Sequence, residues 1–175
     1  MRAPHTHVRM DRAELERLHP ESWGWALACC ARDRDLAHDA LQTAYLRILS
    51  GKARYHGRSS FKTWLFGVIR LTALEEMRRD KRRTDLMDDD LFDPAPGADV
   101  LAESSELSAG LVAALATLSA RQREVLHLVF YHDMSIEEAA TVMNVSIGSA
   151  RTHYDRGKKA LARELARPTG RGSPR

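Results

Sequence analysis

The stretch from Leu118 to Ala166, LSARQREVLHLVFYHDMSIEEAATVMNVSIGSARTHYDRGKKALARELA, constrains this chain most, because it holds three helix starts in close succession. Ser119 stands three residues before Gln122, and Ser135 three before Glu138. In each pair the hydroxyl can accept from the third backbone N–H while the longer side chain reaches back to the capping residue. Ser146 is a natural N-cap for the third helix. Only Asn144-Val145-Ser146 separates the apolar run ending at Met143 from the one starting at Ile147, which predicts a tight corner. A short helix, a corner of this length and a longer helix form a helix-turn-helix.

The third helix has two faces. Ile147, Ala150, Tyr154, Leu161 and Leu165 recur at helical spacing and are expected to face the protein. Ser149, Arg151, Thr152, Asp155, Arg156 and Lys159 fall on the other side, with Ser146 at the helix start. In a helix-turn-helix the second helix enters the major groove, where Arg pairs bidentately with guanine and Ser, Thr or Asp add polar contacts. Exposed N–H groups at the helix start can also hold a phosphate. A lone basic amphipathic helix would be a solvated surface; three capped helices with this corner favour DNA binding.

Charge is unevenly distributed. Residues 51–83 carry ten Lys/Arg against three acids, a net +7, and residues 84–106 carry eight acids and no base, a net −8. From residue 144 to 175 eight bases face two acids, a net +6. Pro94 and Pro96 lie inside the acidic strip and break the helical pattern, so it is expected to be a flexible linker. Two basic bodies on an acidic tether predict an all-α chain of two small helical domains, 11–83 and 107–167, joined by 84–106, with the helix-turn-helix in the C-terminal one. The acidic strip lacks the alternation and the glycine of a calcium loop, and clustered carboxylates in a Pro-containing linker lack the rigid scaffold a nuclease metal site needs. No metal, cofactor, small-molecule substrate or catalytic residue is expected. Cys29 and Cys30 form no C-x-x-C and suit buried thiols in a reducing cytosol. With no long apolar segment, a soluble cytoplasmic protein is expected.

The N-terminal half predicts four helices. Asp11 caps a short one bearing Leu15 and Leu18 and ended by Pro20; a second carries Trp23, Leu27 and Cys30. Asp35 caps a third, with Ala37, Ala40, Leu41, Ala44, Ile48 and Leu49 on its apolar face and Gly51 as its stop. Asp39, Gln42 and Arg47 remain on the other side. Ser60 caps a long helix from Phe61 to about Arg83, whose end is crowded with Arg78, Arg79, Lys81, Arg82 and Arg83. Before it runs a loop of Lys52, Arg54, Tyr55, His56, Gly57, Arg58, Ser59 and Ser60. Cations beside aromatic faces suit single-stranded nucleic acid, whose phosphates meet the charge while bases stack on the rings. Phe61 and Trp64 also fit the buried stripe, and core is the simpler role for Trp64. In the C-terminal half, Leu107, Leu111, Leu115 and Leu118 predict a first helix, and a basic tail follows Pro168.

Two segments together resemble the bacterial RNA polymerase sigma factors of the extracytoplasmic-function (ECF) group. The run from Leu118 to Arg151 is similar to their promoter-binding C-terminal domain, with Leu118, Arg121, Gln122, Arg123, Glu124, Val125, Leu126, Ser135, Glu137, Glu138, Ala139, Ala140, Val145, Ser146, Gly148 and Arg151 at matching positions. DALQTAYLR and YHGRSSFKTWLFGVIRLTALEEMRR resemble the domain that grips core polymerase and opens the promoter. Thr43-Ala44, Gly67 and Leu71 depart from that pattern.

The resemblance implies a sigma factor without chemistry of its own, which binds core RNA polymerase, directs it to specific promoters and promotes melting. It implies that Asp39, Gln42 and Arg47 face the coiled coil of the β′ subunit and that the C-terminal domain meets the β flap. It implies that Tyr55, His56, Arg58, Ser59, Ser60, Phe61, Lys62 and Trp64 capture unpaired −10 bases, while Arg70, Arg78, Arg79 and Arg82 hold the backbone. Ser146, Ser149, Arg151, Thr152, Asp155, Arg156 and Lys159 would read the −35 element. The implied partners are core polymerase, promoter DNA as duplex and as single strand, and an anti-sigma factor, often membrane-bound, which could hold the protein at the inner membrane. A stand-alone helix-turn-helix regulator is the alternative; it would leave the 39–83 pattern unused.

Overall fold

The computed structural model describes residues 12–87, 111 and 113–166, with side chains 84–87 excepted. Six labelled helices form the body: α1 (Arg12–Cys29), α2 (Arg34–Leu49), α3 (Phe61–Met87), α4 (Ala120–Tyr131), α5 (Ile136–Met143) and α6 (Ile147–Leu165). Residues 113–116 are also helical and lead, through a turn, to buried Leu118. Most of the predicted linker, the Asp11 cap, Leu107 and the basic tail lie outside the described residues.

The N-terminal helices differ from expectation in two places. One helix, α1, runs through Pro20 instead of stopping there. Pro20 is exposed, so solvent can satisfy the Glu16 carbonyl left without its helical donor. Leu15, Leu18, Ser22, Trp25 and Ala26 make one buried stripe across the proline, and their packing offsets its cost. The N-cap of α2 is Asp33, not Asp35: Asp33 has the extended backbone a cap requires and accepts from Asp35 and Leu36 N–H. Asp35 instead lies in the acidic first turn, where the helix dipole favours it.

The four serine caps read from the sequence are present. Ser60 Oγ accepts from Thr63 N–H at 3.1 Å to start α3. Both capping boxes close, Ser119 with Gln122 and Ser135 with Glu138, and Ser146 accepts from Ser149 N–H. At the corner Asn144 adopts φ 53° and ψ 52°, a left-handed conformation that Asn tolerates better than most residues. Its N–H returns to α5 carbonyls, ending α5 and aiming α6 away.

The core is continuous across both halves of the chain. Trp25, Phe66, Leu65, Ile69 and Ile48 from α1–α3 belong to the same buried cluster as Val125, Leu128, Met134, Val142 and Met143. The apolar period of α3 predicts a buried stripe of Phe61, Trp64, Leu65, Val68, Ile69, Ala73 and Met77; Phe61, Leu65, Ile69 and Ala73 are buried and Trp64, Val68 and Met77 only half-buried, while Thr63, Phe66 and Arg70 on another face are buried as well. That second face is covered by the C-terminal helices. Trp25 lies at the junction: its Nε1 donates to Phe66 O at 3.0 Å, and its ring stacks on Phe66 and on His127.

Candidate nucleic-acid interface

The polar face of α6 is open. Ser146, Ser149, Arg151, Thr152, Asp155, Arg156 and Lys159 are all exposed along one side of the helix. The buried side is narrower than the periodicity suggested. Ala150 and Gly157 are buried and Tyr154 and Leu161 half-buried, whereas Ile147 is 48% and Leu165 52% exposed, contrary to expectation. The cause is close approach at the helix centre. A Cβ on Gly157 would stand 3.1 Å from Leu126 Cδ1 and 3.3 Å from Gln122 Cβ, so α4 meets the α6 backbone there and both ends project past it. Ser146 Oγ donates to Ser149 Oγ at 2.9 Å and Thr152 Oγ1 to Gly148 O at 2.9 Å, whereas the Arg151 guanidinium lies 3.7 Å from Glu137 on α5. Beside this face Tyr154 stacks on exposed Phe130 and carries Lys158 over its ring at 4.5 Å.

The 52–60 loop is held by aromatic packing. Tyr55, Phe61 and Trp64 form a triangle with ring centroids 5.3–5.4 Å apart. Tyr55 OH donates to Ser59 O at 2.5 Å, and Gly57 takes φ 67°, which lets the chain double back between them. Phe61 is buried, and Tyr55 and Trp64 are half-buried, so Phe61 is core first and the other two keep part of their faces open. His56 and Arg58 are exposed, Ser59 is half-buried and Ser60 caps α3. Arg78, Arg79 and Arg82 are exposed further along α3.

Lys62 and Arg70 sit differently. Lys62 Nζ pairs with Glu21 at 2.5 Å and donates to His132 O at 3.0 Å. The pairing holds the Glu21 carboxyl below its usual range. Arg70 is buried against Glu124, with Nε on Oε1 and NH2 on Oε2 at 3.5 Å. Thr63 donates to Glu138 at 3.3 Å, so the residue that closes the α5 capping box also reaches α3. No local signal in the sequence marks these contacts, whose partners lie 41–75 positions apart.

His132 is wedged into the same contact, edge-on to Phe66 at 4.7 Å and 5.0 Å from the His127 ring. Neither ring nitrogen of His132 has a hydrogen-bond partner among the described residues, and Nδ1 stands 3.7 Å from Glu21. Burial disfavours the imidazolium and pushes both His127 and His132 down to about 4. Burial also pushes the Cys30 thiol up to about 12, so it is an inert core group.

On α2, Asp39 and Gln42 are exposed, and Leu46 and Leu49 expose about 60% of their surfaces beside them. Arg47 is half-buried, paired with Glu75 at 2.5 Å and near Thr72 Oγ1 at 3.4 Å. Leu71, on α3, is also exposed. No group of His, Cys, Asp or Glu among the described residues could hold a metal ion, and no described helix is long and apolar enough to cross a membrane.

Comparison with known proteins accounts for both halves. The Sigma-70 region 2 family matches residues 15–83, and the Sigma-70 region 4 family matches residues 108–161. The chain is 30% identical over 141 residues to the ECF RNA polymerase sigma factor SigX of Bacillus subtilis, covering 77% of this chain and 73% of SigX. It is 31% identical over 136 residues to the ECF sigma factor SigF of Caulobacter vibrioides, covering 75% and 72%. Its fold matches the sigma factor RpoE of Bartonella quintana, solved with the anti-sigma factor NepR, with a TM-score of 0.72 at 24% identity over 90% of this chain and 97% of that one. CnrH, solved with the cytosolic domain of CnrY, matches with a TM-score of 0.60 at 18% identity, covering 90% and 88%. The helices and the helix-turn-helix define a protein of the Sigma-70 class. Within that class, the chain belongs to the ECF RNA polymerase sigma factors, whose members are transcription initiation factors and not enzymes in the usual sense.

Proposed function

We propose that this chain binds core RNA polymerase in the cytoplasm, brings it to promoters of defined sequence, and promotes strand opening there, with no reaction catalysed by its own residues. The observation that carries the proposal is the open polar face of α6, set behind the Asn144 corner and paired in one chain with a basic, aromatic loop. In this reading Arg151, Ser149, Thr152, Asp155, Arg156 and Lys159 read −35 base edges, and the Ser146 end of α6 holds a phosphate. Tyr55, His56, Arg58, Ser59, Ser60 and the open face of Trp64, backed by Phe61, receive an unpaired −10 base. Flipping a base costs a few kcal/mol, which a receiving pocket must offset. Lys62 joins that base-receiving set, and Arg78, Arg79 and Arg82 hold backbone phosphates, with Arg70 adding to them only where its pairing with Glu124 gives way, making affinity strongly salt-dependent. Asp39, Gln42, Arg47 and the exposed Leu46 and Leu49 form the face for the β′ coiled coil, and the C-terminal domain meets the β flap.

RpoE and CnrH were solved with their inhibitors, which supports an anti-sigma factor as a partner here; a membrane-bound one would hold the chain at the inner membrane. The test is in-vitro transcription of a genomic library by core polymerase with and without this chain. Start sites that share −10 and −35 elements and appear only with the chain support the proposal; an unchanged set of start sites refutes it.

A further inference from the structure

Two residues of α3 are not explained by folding. Gly67 lies inside the helix, where glycine is weaker than alanine, yet a Cβ there would meet nothing within 4 Å. No close packing within the chain calls for a glycine. One turn further on, Leu71 leaves 52% of its surface exposed in a helix whose Leu65, Ile69 and Ala73 are buried. Local rules broken twice, with no gain to the core, mark a place shaped for something outside the chain.

The two positions share a face. At 3.6 residues per turn, Trp64, Gly67, Leu71 and Arg78 fall within about 60° of one another around the α3 axis. Trp64 belongs to the aromatic triangle with Tyr55 and Phe61 at one end of this face, and Arg78 and Arg82 are exposed at the other. Between them the surface is apolar: the open part of the Trp64 ring, the bare backbone of Gly67, half-buried Val68 and the Leu71 side chain. Glu75, beyond Leu71, is paired with Arg47 of α2 at 2.5 Å. Phe66 and Arg70, which meet the C-terminal half, point to another side of α3, so this face is open in the free chain.

We propose that Gly67 and Leu71 form a ledge that selects thymine. An unpaired base of the opened strand, next to the one received by the 52–60 loop, lies on the Gly67 backbone with its 5-methyl group against Leu71. This rests on the strand-capture reading given above. Thymine is the base that fits, because neither residue has a side-chain hydrogen-bonding group and the methyl is the apolar feature of a base edge. Gly67 lets the ring approach where a Cβ would hold it off. Arg78 and Arg82 supply charge for the neighbouring phosphates.

The test uses core RNA polymerase assembled with the full-length chain. Its probes are a pool of random duplexes carrying random single-stranded overhangs, and the bound fraction is sequenced. The same pool built with deoxyuridine in place of thymidine lacks only the methyl groups. The ledge predicts thymine enrichment at one overhang position, lost in the deoxyuridine pool and lost in Leu71→Ala. In one enriched probe, deoxyuridine at that position is expected to weaken binding by about fourfold, the worth of one buried methyl group, and to change nothing in Leu71→Ala. Gly67→Ala is expected to raise the urea midpoint, because alanine favours the helix, while weakening binding of the thymine probe. A purely structural role would move both in the same direction.

Thymine enrichment that survives in the deoxyuridine pool or in Leu71→Ala overturns the ledge. So does a preference at that position for another base or for none, and so does a Gly67→Ala chain that binds the thymine probe as tightly as the wild type. Failure of strand capture itself reads differently: Arg58→Ala holoenzyme then binds the pool as the wild type does, and no overhang position is enriched for any base.

Discussion

Arg70 and Glu124, 54 residues apart in sequence, form a buried ion pair that ties α3 to α4. A buried pair contributes little net stability over a well-packed apolar replacement, but leaving one partner alone is costly. Glu124→Leu alone, which strips the buried Arg70 guanidinium of its carboxylate, is therefore expected to destabilise the chain by about 3 kcal/mol, and Arg70→Met alone by less, because Glu124 keeps Arg121 at 3.1 Å. The double variant is expected to recover most of that loss. Urea denaturation of the three variants checks this; additive losses would show that the pair is not a coupled unit.

Acid should loosen the same contact. His127 and His132 titrate near 4 in this structure and near 6.5 when solvated, mainly because they are buried. Between those values the folded chain holds fewer protons than the unfolded one, so its stability is complete above about pH 6.5 and falls as pH drops towards 4. The slope approaches about 1.4 kcal/mol per pH unit for each histidine. Facing charges include Glu21 from α1, Lys62 from α3, Arg32 and Asp133. The lowered Glu21 acts in the same sense, its contribution being lost at lower pH as its carboxylate protonates. Urea midpoints measured from about pH 7.5 down to about 5 should decline, and His132→Phe should flatten the decline.

Gly157 lets α6 lie directly on α4. Gly157→Leu has no room beside Leu126 and Gln122, and is expected to cost about 1–3 kcal/mol by overpacking while displacing the recognition face. Thermal or urea unfolding measures the loss. Wild-type stability in this variant would mean that the two helices are less closely fitted.

Arg151 is exposed, with its guanidinium 3.7 Å from Glu137. Arg151→Ala is expected to weaken discrimination at the −35 element by about 1–3 kcal/mol while leaving polymerase binding intact. Competition between matched and mutated duplexes measures the first, and co-elution with core enzyme the second. Equal loss of both would refute the assignment.

What the sequence made legible was mostly local. Ser119 with Gln122, Ser135 with Glu138, and Ser146 with Ser149 are contacts between residues three apart, and they form wherever those residues precede an apolar run. The aromatic loop and the open face of α6 follow from the same short-range logic. Pro20 misled because a breaker's local cost was outweighed by the buried stripe on either side of it. Ile147 and Leu165 misled because periodicity defines a face but not how much of it a neighbour covers. The Arg70–Glu124 and Thr63–Glu138 contacts had no local signal, since each charged or polar residue also made sense alone on a surface.

Both halves are expected to act on one promoter, and only together with polymerase. The direct measurement is footprinting of a promoter start-site fragment with the chain alone, with core enzyme alone and with both, after size-exclusion of the mixture. The expected result is co-elution of chain and core, with protection at the −35 and −10 elements only when both are present. A chain that never co-elutes with core yet protects a defined duplex unaided would contradict it.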